Sequence, residues 1–319
     1  MGEKDITEKL LENHNDVFSD IINGLIFEGR QVVGSDELMD MHPVSQFGST
    51  EGTVSAQERD VFKNWNHNLI GMAVMGVENQ TEIYKPMPIR VIGYDGSAYR
   101  KQLSDYDASV RIWNREHSDA CTDQKPEFHP VPVITLVLYF GKRRWKKNRN
   151  LKELLTIPKE LEPYVNDYRI NVFEIAHLPE EALDYFHSDF RIVADYFVHK
   201  RKDPDYRPAD PVAFKHVDEV LKMMTAITHD DRFIETLEGE GGKPKDMCEV
   251  LDRVEARGEA RGEARGEARG KAEGRQEGIL ETLASLVKKG LLSLTDAAKE
   301  ANLTPAEFQK KTASLGSKE

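Results

Sequence analysis

Residues 69–80 read LIGMAVMGVENQ. The run is compact and apolar, then turns abruptly polar at Glu78. Its length fits a buried strand or a short buried helix. Two glycines and two valines favour a strand in a sheet covered on both faces. Pro86 and Pro88 bar its simple continuation. A second run, VPVITLVLYF at 131–140, is β-branched and aromatic and stops at Gly141, which reads as the clearest strand of the chain. RINVFEIA at 169–176 reads as another strand. Helical spacing appears at 5–28 (Ile6, Leu10, Leu11, Val17, Phe18, Ile21, Ile22, Leu25, Ile26), with Gly29 as the stop. Residues 89–103 place Ile89, Ile92, Tyr99 and Leu103 at roughly helical spacing, and 179–199 and 211–235 read as helices. Gln31-Val32-Val33 and Val44 could begin short extended segments, while residues 42–56, rich in Gly, Ser and Thr, read as a loop. Strands alternating with helices predict an α/β domain over about 1–240.

Beyond it the composition changes. Residues 241–277 hold the end of a polar linker (LEGEGGKP, 237–244) and an internal repeat. EARG occurs four times from Glu255 to Gly270, followed by KAEG and RQEG. A period of four advances about 400° along an α-helix. Within the EARG tract Glu and Arg stand two or six apart, so they form no i,i+3 or i,i+4 pairs. The two charges make stripes on opposite sides, which a second copy of the helix could complement. One Gly per turn costs about 1 kcal/mol each relative to Ala. Two readings stay open: a helix formed on self-association, as in a coiled coil, and a solvated spacer. Residues 278–319 predict a small helical hairpin, with Ser293 or Thr295 capping one helix and Thr304-Pro305 starting the next. It carries little excess positive charge, which favours an oligomerisation or capping unit over a DNA reader.

The chain has 319 residues, 39 % hydrophobic and 31 % charged, with a net charge of -12. No run reaches the length of apolar sequence that spans a bilayer. The opening MGEKDITEKLLENHND is charged and lacks a secretory core. Two distant cysteines, Cys121 and Cys248, argue against a disulfide framework or a structural zinc site. Ten histidines show no metal-ligand spacing. A reducing cytoplasm is the expected compartment. The charge is uneven: KRRWKKNR at 142–149 holds six cations, and without them 38 basic residues stand against 56 acidic ones. Lys142, Arg143, Arg144, Lys146, Lys147 and Arg149 suit phosphate contacts, with Trp145 available to stack on a base or sugar. His199-Lys200-Arg201-Lys202 is a second basic cluster.

Asp60 precedes Glu78-Asn79-Gln80 by eighteen residues. On a strand Glu78 and Gln80 share a face. Two carboxylates, the Asn79 main-chain carbonyl and water form an oxygen-only shell suited to Mg²⁺ or another divalent cation. Such a metal activates water and neutralises charge on a phosphodiester. Gln80 would orient water or phosphate. Asp16 and Asp20, four apart on the first helix, could approach from the side, although capping or solvent exposure is the simpler reading. Tyr94, Asp95 and Tyr99 line the site or pack the helix.

ERDVFKNW (58–65), GMAVMGVENQTEIYKPMPIRVIGYDGSAYRKQL (71–103), PVITLVLYFG (132–141), EPYVNDYRINVFEIAHLPEE (162–181) and SDFRIVADYF (188–197) follow one another in the order found in a bacterial family. Over roughly residues 5–240 the chain resembles the PD-(D/E)XK nuclease family transposases, which include the recombination-promoting nucleases. The resemblance implies a restriction-endonuclease-like fold, a mixed central sheet flanked by helices, and Mg²⁺-dependent cleavage of DNA. Under it Asp60 matches the first metal-binding acid and Glu78 the second. Gln80 stands where the superfamily commonly has lysine and this family commonly has E-x-Q. The expected protein is thus a bacterial, cytoplasmic DNA endonuclease of recombination or transposition, working as a homodimer or higher oligomer and binding no membrane. Its rivals are a DNA-binding recombination factor with little cleavage and an oligomerising scaffold.

Overall fold

The computed structural model describes residues 11–41, 44–48, 54–58, 61–68, 70–116, 125–208, 212–237 and 242–315. The chain divides into two compact units, Met1–Leu251 and Asp252–Glu319.

The first unit is built on a five-stranded mixed sheet in the order β1 (Leu38–Asp40), β4 (Val61–His67), β5 (Ile70–Gln80), β6 (Val133–Tyr139), β7 (Asn171–Glu174). The pairs β1–β4 and β4–β5 are antiparallel, and the pairs β5–β6 and β6–β7 are parallel. The parallel step from β5 to β6 requires a crossover, which is the long helix α2 (Met87–Glu116). Within the expected loop 42–56, the described residues differ: β2 (Val44–Gly48) and β3 (Val54–Glu58) pair as an antiparallel ribbon. Their Gly and Ser content hid the strands, because hydrogen-bonded pairing here comes without an apolar alternation.

The apolar run 69–80 is a strand because both faces are covered. Ala73, Met75 and Val77 of β5 join Leu136 and Leu138 of β6 in the main core. That core is closed by α1 (Asn15–Leu25), α3 (Phe190–Lys202), α4 (Val217–Thr228) and the one-turn α5 (Arg232–Glu235), through Phe18, Ile22, Val193, Leu221, Met224 and Phe233. The alternate residues face α2: Val74 packs with Ala98, and Val137 and Tyr139 with Met87 and Val91. The α2 face therefore corrects the sequence pattern. Its buried positions include Met87, Val91, Tyr94 and Ala98, whereas Ile89, Ile92, Tyr99 and Leu103 are exposed. The reading 179–199 also splits, into a short 3-10 turn at Glu180–Tyr185 and α3. Gly29 follows α1 in a left-handed conformation (φ 83°), as a helix stop requires.

Buried Lys63 ties the amino-terminal segment to the sheet. Its amine donates to the Asn13 carbonyl and to Asn15 Oδ1, each at 2.8 Å, and pairs with Asp40.

The repeat lies in a continuous helix, α6 (Met247–Lys288). The first unit runs to Leu251, and Met247 and Val250 are buried in its core. In the second unit a small core joins Leu280 of α6 with Ala297 and Ala298 of α7 (Leu294–Glu300) and Phe308 of α8 (Pro305–Leu315). Ser293 caps α7, accepting from Asp296 N–H, and Thr304 and Glu307 form a reciprocal capping box at α8. The ion pairs Glu267–Lys271 and Arg269–Glu273 fall where KAEG reverses the phase of the charges. The phase reversal supplies the i,i+4 spacing that the strict repeat excludes. Among the described residues, no helix is long and apolar enough to cross a membrane.

Candidate active site

Glu78, Asn79 and Gln80 form the carboxyl end of the central strand β5. Strand alternation turns Glu78 and Gln80 toward α2, and Gln80 Nε2 donates to Glu78 Oε1 at 3.3 Å. Glu78 is only 1 % exposed. A carboxylate in such a place requires compensating partners. Arg90, in the first turns of α2, supplies one: its guanidinium lies 2.8 Å from Glu78 Oε1. Arg90 is steadied in turn by Tyr94, whose hydroxyl accepts from Nε at 2.7 Å, and it lies near the Tyr84 and Tyr94 rings. Asn79 points to the other face, where its side-chain amide donates to the buried Glu12 carboxylate at 2.7 Å.

The main-chain geometry matters as much. Gln80 carbonyl accepts from Phe140 N–H at 2.9 Å on the β6 side. Successive carbonyls of a strand point to opposite neighbours, so the Asn79 carbonyl is directed to the β4 side. There Val61 pairs with Val77. Asp60 immediately precedes Val61 in the sequence and lies outside the described residues. Glu78 and the Asn79 carbonyl are oxygen donors on one strand end, a set that fits a hard cation such as Mg²⁺.

The basic segment leaves the sheet at this same end. Tyr139 is the register partner of Gln80, and Gly141 follows two residues later. Lys142, Arg143, Lys146 and Lys147 are exposed. Arg144 and Arg149 are partly neutralised by Glu174, at 3.4 and 3.1 Å. Trp145 corrects the expectation of base stacking: it is 1 % exposed and packs edge-on against Tyr139, while its main-chain N–H donates to the Glu174 carboxylate at 2.6 Å. An indole buried in this satellite core cannot offer its face to a nucleotide. Its role is to anchor the segment that displays the cations. His177 Nε2 adds a bond of 3.1 Å to the Lys142 carbonyl. Burial, with Arg144 and Arg201 nearby, holds the His177 pKa below its ordinary value, so the ring stays neutral at pH 7.

Other sequence candidates have structural employment. Asp20 accepts the backbone N–H groups of His187 and Ser188. Asp95 is buried, bonded to Thr135 and Tyr168, and Tyr99 accepts from Val133 N–H. In the cluster 199–202, His199 meets Asp195, Arg201 donates to the Ala176 carbonyl and Lys202 pairs with Glu180, while Lys200 lies over the Tyr196 ring. These cations also complement the carboxyl end of α3. Sequence reasoning missed Arg90 and Glu12. Arg90 carries a faint signal, as the cation one helical turn into the element that follows E-x-Q. Glu12 carries none, because its contact with Asn79 spans 67 residues.

Compared with known proteins, the chain matches no family model, no curated protein and no solved structure.

Proposed function

We propose that the first unit is a restriction-endonuclease-like domain and that the chain is a Mg²⁺-dependent DNA endonuclease of the PD-(D/E)XK type, acting in recombination or transposition. The observation that carries the reading is a buried carboxylate, Glu78, at the end of a central strand whose parallel neighbour leads directly into an exposed basic segment. Asp60, Glu78 and the Asn79 carbonyl would hold the metal. When bound, Mg²⁺ supplies a more acidic water and neutralises charge on the phosphodiester. Gln80 orients the incoming water or a phosphate oxygen, its amide being already aligned on Glu78. Arg90 pairs with Glu78 and fixes its rotamer. Lys142, Arg143, Lys146 and Lys147 draw the backbone of DNA to this end of the sheet through phosphate contacts. Two copies would place two such centres on a duplex, one for each strand.

Supercoiled plasmid tests the reading. Nicking or linearisation is expected with Mg²⁺, is abolished by EDTA, and falls at least about a hundredfold in Asp60→Ala, as expected for loss of a metal ligand or its support. DNA binding with a steep salt dependence but no cutting by the parent protein would instead favour a recombination factor that binds without cleaving.

A further inference from the structure

On the face of the sheet opposite Glu78, two helices begin side by side. His14 stands immediately before α1 and His216 immediately before α4, and neither ring caps its helix. The two rings stack, with centroids 3.8 Å apart and planes 19° from parallel. Asp16, in the first turn of α1, reaches His216 Nε2 with both carboxylate oxygens, at 3.1 and 3.2 Å. One ligand atom from each of His14, Asp16 and His216 lies within 4.8 Å of the other two. Glu219, in the first turn of α4, stands 3.8 Å from His14 Nε2.

We propose that His14, Asp16 and His216, with Glu219 as a fourth ligand, form a binding site for Zn²⁺ or a similar imidazole-seeking divalent metal, which clamps α1 to α4. Two imidazoles and two carboxylates suit Zn²⁺, whereas Mg²⁺ prefers oxygen alone. A tetrahedral site with bonds of about 2.0–2.2 Å needs ligand atoms about 3.3–3.6 Å apart. Side-chain rotation covers the remaining distance, because all four side chains are partly exposed, from 15 % at His216 to 36 % at His14. That exposure also gives the ion a route in from solvent.

The backbone beneath both histidines is already fixed. Lys63 grips both neighbours of His14, through the Asn13 carbonyl and the Asn15 side chain. Buried Asp189 accepts the N–H groups of Lys215 and His216. Asp189, with Asp16, Asp218 and Glu219 in the first turns, offsets the positive helix ends that would otherwise repel a cation. Lys215 pairs with Asp16 in this structure, but its side chain is 67 % exposed and can withdraw when a metal arrives. The histidines lie 202 positions apart, so no ligand spacing shows in the sequence. The site does not depend on the nuclease reading, since β5 separates the Asn79 and Glu78 faces.

The test is titration of the full-length, tag-free, EDTA-stripped protein with Zn²⁺ alone, followed by calorimetry and thermal unfolding. One Zn²⁺ per chain is expected, with a Tm raised by several degrees at saturation. Millimolar Mg²⁺ should not displace it. Binding should weaken at least tenfold in His216→Ala and in the more exposed variant His14→Gln, which guards against a folding defect, and persist in Glu78→Gln. No stoichiometric binding by the parent protein, or unchanged affinity in both histidine variants, would overturn the proposal.

Discussion

Glu78 holds a charge where the surroundings are almost dry, and Arg90 answers it from the helix that follows. Breaking a buried pair from one side costs about 3–5 kcal/mol, and a cation one-third exposed falls below that range. Arg90→Met should therefore lower stability by about 2 kcal/mol, read as a shift in the urea midpoint at unchanged slope. A shift smaller than about 0.5 kcal/mol would mean that Glu78 does not rely on Arg90. Asp16 is a second unusual carboxyl. Burial opposes its ionisation, yet hydrogen bonds and charges from Lys215 and His216 lower its pKa to about 2. At any pH above 4 it is an anion, whether its partner is a lysine or a metal.

At the scale of elements, the segment after β6 and the helix α6 invite separate tests. Lys142, Arg143, Lys146 and Lys147 are the exposed cations of the segment, and each phosphate contact contributes about 0.9 to the slope of log K against log salt. Replacing all four with alanine should reduce that slope by up to about 3–4, while the Trp145 anchor keeps the fold. An unchanged slope would place the DNA elsewhere. In α6 a methyl group added at Gly258, Gly262, Gly266 or Gly270 would meet open space. Gly→Ala there should stabilise the helix by about 1 kcal/mol per site, seen as greater helicity on heating. A loss of helicity would instead show that the glycines serve close packing against another chain. The strands 69–80 and 131–140 were legible in the sequence because a sheet covered on both faces writes itself as an unbroken apolar run. The ribbon of 44–48 and 54–58 was not, since its few apolar residues do not alternate along the first strand. On α2 the exposed Ile and Tyr residues imitate a buried stripe, and only packing against Val74 and Val137 reveals that the true one runs through Val91 and Ala98.

At the scale of the molecule, a mixed sheet gathers three things at one end: a buried carboxylate, a directed carbonyl and a basic segment. The E-x-Q strand end was readable from spacing, as was the basic run. Which cations stay exposed, and where Arg90 and Trp145 go, depended on contacts that sequence distance conceals. The histidine cluster between α1 and α4 was hidden for the same reason. The central claim is that the end of β5 cuts DNA. Its most direct test compares plasmid cleavage by the parent protein and by Glu78→Gln at matched Mg²⁺, with DNA affinity measured alongside. Glutamine keeps the size of the side chain and can still accept from Arg90, so the fold and the basic segment should persist. DNA binding should be unchanged and cleavage reduced at least about a hundredfold. Equal cleavage by the two proteins would contradict the claim.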